Sequence, residues 1–186
     1  APAPSPHNWT KHAEDAKNSC YFAPRGVGNQ WKALGKGCHN PRLDLDNFGC
    51  EAGITDPDDP SFCAPENVNF DELPDKTWVR IAAHYFGSCT KTLPTHPLVT
   101  VYCNGGQVAQ LGSKGGMPLG YSEPVTMQPA DCQKKMWLAA DVYVKQGTCS
   151  IECTVVPLHE GTSKKPLVVA VDGASAPFGP GYPAAP

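Results

Sequence analysis

Proline and glycine punctuate this chain too often for helices to carry its fold. Its 186 residues include 20 prolines and 18 glycines, about a fifth of the chain against an ordinary share near an eighth. Proline lacks the N–H that a helix interior needs, and glycine loses the most backbone entropy on ordering. A helical bundle is excluded on that ground. The segments between the breakers read with a period of two. Residues 77–86 run Thr-Trp-Val-Arg-Ile-Ala-Ala-His-Tyr-Phe, so Val79, Ile81, Ala83 and Tyr85 share one face of a strand. Leu98–Cys103 and 107–111 flank Asn104-Gly105-Gly106. That spacing predicts a hairpin, because both central residues of a type I′ turn need positive φ. Residues 136–144, 149–156 and 166–171 are three further apolar runs of strand length. Short strands at turn-punctuated intervals predict an all-β fold, an antiparallel β-sandwich. The length suits about one domain. We read a polar N-terminal arm over 1–19, a disulfide-rich sandwich over 20–172, and an extended Ala/Gly/Pro-rich tail over 173–186 that lies outside the core.

Nine cysteines stand along the chain: Cys20, Cys38, Cys50, Cys63, Cys89, Cys103, Cys132, Cys149 and Cys153. Structural zinc needs two closely spaced ligand pairs, and Cys149 with Cys153 is the one close pair here. Dispersed cysteines in a turn-rich chain fit disulfides, which place the protein in an oxidising, extracellular compartment. The opening Ala1-Pro2-Ala3-Pro4, with no initiator Met, reads as a processed product whose export signal has been removed. Connectivity is not fixed by spacing. Local reasoning favours Cys50–Cys63 and Cys20–Cys38, each closing a loop that could not hold a shape alone. It also places Cys89 and Cys103 at the ends of neighbouring strands as a cross-strand pair. Cys132, Cys149 and Cys153 then compete for one partner, and the odd count leaves a thiol that is either buried or linked to another chain.

Composition removes several classes of function. Charged residues reach 18% with a net charge of −3, so no basic face for nucleic acid is expected. No apolar run approaches the roughly 20 residues that span a bilayer, so no membrane insertion is expected. The chain has no Gly-x-Ser-x-Gly elbow, no Gly-Lys-Ser/Thr phosphate loop and no Cys-x-x-Cys-His. His84, inside the strand at 77–86, reads as a packed or surface histidine.

One constellation carries possible chemistry. Asp44-Leu45-Asp46-Asn47 is followed by Asp56, Asp58 and Asp59, then Glu66-Asn67. Calcium takes six to eight oxygens, and alternating acids on a loop can aim several at one point. The spacing is not that of an EF-hand, since Phe48 and Thr55 fall where ligands belong. Two readings stand: a solvated acidic loop with Asx turns, and a calcium site drawn from Asp44, Asp46, Asn47, Asp58, Asp59, Glu66 and Asn67. A catalytic carboxylate pair is a distant third.

The run Asn40-Pro41-Arg42-Leu43-Asp44-Leu45-Asp46-Asn47-Phe48-Gly49, followed by Ala64-Pro65-Glu66-Asn67-Val68, resembles the YfaP-like β-sandwich domains of bacterial exported proteins. Their pattern L-D-x-D-x-x-x-G-x-G-P-E-x-I is followed by a strand like Y-x-V-x-V-H-Y-Y. Here Val79-Arg80-Ile81-Ala82-Ala83-His84-Tyr85-Phe86 is similar to that strand, and Val99-Thr100-Val101-Tyr102-Cys103-Asn104-Gly105 to the family's V-x-V-Y-x-N-G. Cys20-Tyr21-Phe22-Ala23 with Trp31 resembles the aromatic stretch that precedes the acidic run. The resemblance spans 20–111. It departs where the stretch from Cys50 to Cys63 interrupts the Gly-x-Gly-Pro-Glu core, and it lacks the family's opening strand. It implies an exported sandwich whose missing strand leaves a sheet edge to be covered by another segment.

The expected function is therefore a non-catalytic secreted or cell-surface module for extracellular assembly, adhesion or ligand binding. A protein partner or self-assembly is expected, with carbohydrate as a second class of ligand through Trp9, Tyr21, Phe22 and Trp31. The alternative is a processed accessory domain of a secreted hydrolase, using Asp44, Asp46 and Glu66 around a metal.

Overall fold

A computed structural model describes residues 9–10, 42–45, 65, 67–70, 73–85, 94–127, 134–148, 150–171, 175–176 and 181–186, with backbone alone at 9–10, 42–45, 134, 171 and 175–176. Every regular element among them is a strand, in line with the proline and glycine load. In chain order they are β1 (Trp9–Thr10), β2 (Arg42–Leu45), β3 (Asn67–Asn69), β4 (Thr77–Tyr85), β5 (Leu98–Cys103) and β6 (Gly106–Lys114). There follow β7 (Met117–Leu119), β8 (Lys134–Gln146), β9 (Ile151–Pro157), β10 (His159–Glu160), β11 (Lys165–Val171) and β12 (Ser175–Ala176). All pairings among the described residues are antiparallel. The chain divides into two compact units, one of Ala1–Thr10 with Pro74–Pro186 and the other of Lys11–Leu73.

The larger unit is organised around β8, a strand of 13 residues. It pairs with β4 along one side, and with β11 and then β9 along the other. Hydrogen-bonded on both sides, β8 is also buried on both faces. Trp137, Leu138, Ala139, Ala140 and Asp141 expose none of their surface. A strand covered twice loses the alternation of a half-buried one and reads as an apolar run, which is why 136–144 stands out in the sequence. The second sheet runs β5-β6-β7. One core cluster draws on both sheets: Trp137, Ala139 and Ala140 of β8 meet Leu111 of β6, with Ile81, Ala83, Tyr85, Val99, Val155 and Val168 around them. The shared face of Ile81, Ala83 and Tyr85 is thus the core face.

Turn chemistry behaves as the sequence predicts. Asn104 and Gly105 take φ of 51° and 78° between Cys103 and its partner Gly106. The extension of β6 to Lys114 and the hairpin into β7 were not expected. Their signal was present in Gly115-Gly116, which adopt φ of 57° and 81° at a second two-residue turn.

At Gly112 the backbone itself requires glycine. Its φ is 111°, and a Cβ there would run into the Pro97 carbonyl oxygen and crowd the Trp137 ring. That carbonyl accepts the Ser113 N–H at 3.0 Å, so it cannot move aside without losing that hydrogen bond. Gly112→Ala is expected to cost about 3 kcal/mol from backbone strain and overpacking. Urea unfolding that finds less than about 1 kcal/mol would show that the β5–β6 junction relaxes freely.

Beyond β7 the chain crosses between the sheets. Tyr121, Val125 and Met127 enter the core. Thr95 and Met127 exchange backbone hydrogen bonds at 2.8 Å, and the Val125 carbonyl accepts from Ser113 Oγ at 3.0 Å and His96 Nδ1 at 3.1 Å.

Cysteine pairing departs from expectation. Cys103 bonds to Cys153, across a sequence separation of 50, and not to Cys89. The two halves lie at the end of β5 and within β9, so the bond joins the two sheets. Neighbouring strand ends along the sequence need not present sulfurs to each other. Packing of one sheet against the other decides which do. Cys153 thereby leaves its expected competition with Cys132 and Cys149. Those two, and the expected pairs Cys50–Cys63 and Cys20–Cys38, lie outside the described residues, as does Cys89.

Ser175–Ala176 pairs with Trp9–Thr10, and Tyr182 is half-buried. No described helix is long and apolar enough to cross a membrane.

Candidate functional site

Of the expected calcium ligands, the smaller unit brings two strands together. β2 and β3 pair with Leu43 opposite Val68 and Leu45 opposite Asn67, and the register shifts at Asp44 between them. Asp44 is the extra residue of a bulge, a device that bends a strand and re-aims its neighbours. Asn67 lies across from the residue that follows it. Asp46, Asn47, Asp58, Asp59 and Glu66 lie outside the described residues. Among the described residues no group of three or more His, Cys, Asp or Glu side chains is placed to hold a metal.

The most developed polar feature lies in the larger unit, on the face of the β4–β8 pair turned away from the core cluster. Arg80 stands directly opposite Asp141, and Trp78 opposite Tyr143. Facing residues on antiparallel strands bring their Cβ atoms within about 5 Å, so a long arginine can lie along the sheet and meet a short aspartate. Arg80 Nε donates to Asp141 Oδ1 at 2.6 Å and Nη2 donates to Oδ2 at 2.7 Å. This is the two-pronged geometry that the planar guanidinium favours. The Arg80 side chain is 2% exposed and that of Asp141 is fully buried. With both oxygens engaged and none of its surface in water, the Asp141 carboxylate suits a structural role and not that of a base or metal ligand.

Aromatic rings cover this pair. The Tyr182 ring stacks on Trp78 at 5.9 Å with a 12° tilt, and Trp78 leans on Tyr143 at 5.0 Å. The Arg80 guanidinium sits 5.1 Å from the centre of the Tyr182 ring, within reach of a cation–π attraction. Burial raises the Tyr182 phenol above its ordinary range; Arg80 opposes that shift and Asp141 adds to it. The arrangement is a seat for a flat ring. Trp78 supplies a parallel face, Arg80 a cation, and Asp141 and Tyr143 hold both in place.

A second cluster sits in the core. The register of β8 against β4 shifts at Ala139, which turns its carbonyl from the β4 ladder. That oxygen accepts the Leu158 N–H at 3.0 Å and the Tyr121 hydroxyl at 2.6 Å. Tyr121 packs edge-on against Trp137 and His159. Burial pushes its phenol up to about 12, and the neighbouring Trp137 indole opposes part of that shift. A neutral phenol is the form that can donate to Ala139. Between pH 10 and 12 the unfolded chain loses this proton while the folded chain keeps it, so stability falls as pH rises through that window. Tyr121→Phe is expected to flatten the decline and to cost about 1 kcal/mol at neutral pH for the lost hydrogen bond. Unfolding midpoints of the two proteins that stay parallel from pH 9 to 12 would remove Tyr121 as the titrating group.

The surface also carries a shallow groove of about 410 Å³ lined by Glu123, Pro124, Thr126, Glu160, Pro166 and Val168. Glu123 meets Lys165 Nζ at 3.7 Å with both side chains half exposed, an interaction of little energetic weight.

Sequence reading missed the ring seat. Arg80 and Asp141 are 61 residues apart, and no local pattern links them. The one legible sign was a lone aspartate inside the apolar run 136–144. No family model, characterised protein or solved structure matches the chain.

Proposed function

We propose that the protein is a non-catalytic, secreted or cell-surface β-sandwich module of YfaP-like type, acting in extracellular assembly, adhesion or ligand binding and stabilised by calcium. The observation that carries this reading is the Cys103–Cys153 bond between the two sheets. A disulfide persists in oxidising compartments, and one that staples two antiparallel sheets over a shared core suits a small sandwich exposed outside the cell. The pairing of β2 with β3 supports the calcium reading, because it brings the strand carrying Asp44 beside the one that opens at Asn67. The buried Arg80–Asp141 pair and its aromatic cover supply a ring-binding seat suited to a protein partner.

The reading is tested on the unreduced chain by light scattering and thermal melting, with calcium and with chelator. Species larger than the 19.8 kDa monomer, and a melting temperature lowered by chelator, are expected, since a ligand of the native state stabilises by mass action. A 19.8 kDa monomer under both conditions, with unchanged melting, would overturn it.

A further inference from the structure

Tyr182 is held by rings and not by a strand ladder. Residues 181–186 have no regular secondary structure; Tyr182 and Pro183 are half-buried, and Gly181 and Ala184 to Pro186 are exposed. The ring rests on Trp78 and over Arg80. With four of its six residues exposed and none in regular secondary structure, such a segment opens at a small fraction of the free energy of global unfolding. Its seat is of the opposite kind. Trp78 and Arg80 belong to a strand of nine residues paired along its length with β8. Arg80 is fixed by two hydrogen bonds to Asp141, and Trp78 is braced by Tyr143. A rigid seat with a detachable occupant is the design of a peptide-docking site. Proline-bearing extended segments suit it, because proline fixes φ and lowers the entropy lost on docking.

We infer that the Trp78–Arg80–Tyr143 seat is a docking site for a Gly-Tyr-Pro segment, filled here by the chain's own Tyr182 and open to the same segment of a second copy. The occupant follows from the structure: each copy carries residues 181–186, and their chemistry is the one seen to fit. Exchange between copies is a form of domain swapping, which needs no new surface. The chain's own segment competes at an effective concentration of about millimolar. Exchange therefore grows where copies are crowded, as in an extracellular layer. The inference rests on reading the chain as an assembly module, and it names the contact through which copies would join.

The test uses the full chain carrying Tyr182→Ala, which empties the seat, titrated with the octapeptide of residues 179–186, Gly-Pro-Gly-Tyr-Pro-Ala-Ala-Pro, while the Trp78 indole resonance is followed by NMR. Saturable binding is expected, about tenfold weaker to the wild-type chain, whose seat is already occupied. It should vanish when Trp78→Ala is added or when the peptide tyrosine is replaced by alanine. In parallel, sedimentation of the unreduced wild-type chain from about 10 μM to about 1 mM should show association that Tyr182→Ala removes and Tyr182→Phe, which keeps the ring, restores. No saturable peptide binding overturns the inference. Association of the wild type that Tyr182→Ala leaves intact also overturns it, while the assembly reading stands through another surface. A wild type that stays monomeric throughout overturns both.

Discussion

Asp141→Asn is expected to lower the free energy of unfolding by about 3–5 kcal/mol, because it removes the buried carboxylate charge that both hydrogen bonds from Arg80 to Asp141 meet. The argument rests on burial. The two side chains are 2% and 0% exposed and joined by both hydrogen bonds of a two-pronged pair. Forming such a pair costs each ion several kcal/mol of hydration, which the contact returns only when both partners are present. The two-residue replacement should therefore behave differently from either single one. Arg80→Met with Asp141→Leu is expected to recover most of the loss, and a double-mutant cycle should report a coupling of about 2–3 kcal/mol. Urea denaturation measures all four proteins. A single-variant loss below about 1 kcal/mol would mean that water reaches the pair, since exposed ion pairs contribute no more than that.

The second large effect concerns the bond between the sheets. Replacing Cys103 and Cys153 together by serine is expected to cost about 4 kcal/mol, the loop-closure entropy returned to the unfolded chain by opening a loop of this length. The sequence separation is 50 residues, and those residues include β6, β7 and all of β8. The loss should appear as a lower urea midpoint, with a steeper slope as the unfolded chain becomes less compact. A midpoint unchanged by the replacement would show that the shared core alone holds the sheets together. If the wild-type chain under reductant melts with the serine variant, the other cysteines add little to this unit; a further drop would assign them a share.

The two expectations bear on the proposed function in different ways. The disulfide matters for where the protein works, because a fold that depends on it is stable only in an oxidising setting. The ion pair matters for what the surface offers. An arginine pinned by a buried aspartate presents its guanidinium face in one fixed orientation, and Tyr182 lies over that face. Loosening the pair should therefore weaken the tyrosine seat as well as the fold.

What the sequence by itself determined rests on neighbours along the chain. Period-two patterning placed β4, because alternation is fixed by the pleat of a single strand, and apolar runs of strand length placed β9 and β11. Asn104-Gly105 placed a hairpin because only a few residues tolerate positive φ. The apolar run at 136–144 placed β8 as a strand, and only the structure shows that it is covered on both faces. Tertiary structure alone decided the rest. Cys103 met Cys153 and not Cys89 because a disulfide needs two sulfurs in reach, and reach between sheets follows from their packing. The bulge at Ala139 set which residues of β8 face the core, and a one-residue shift of register leaves the composition of a strand unchanged. Arg80 found Asp141, and Tyr182 found Trp78, only once the strands had paired. Such contacts join residues far apart in the chain, and no local signal records them, because their energy exists only when the intervening chain has been brought together.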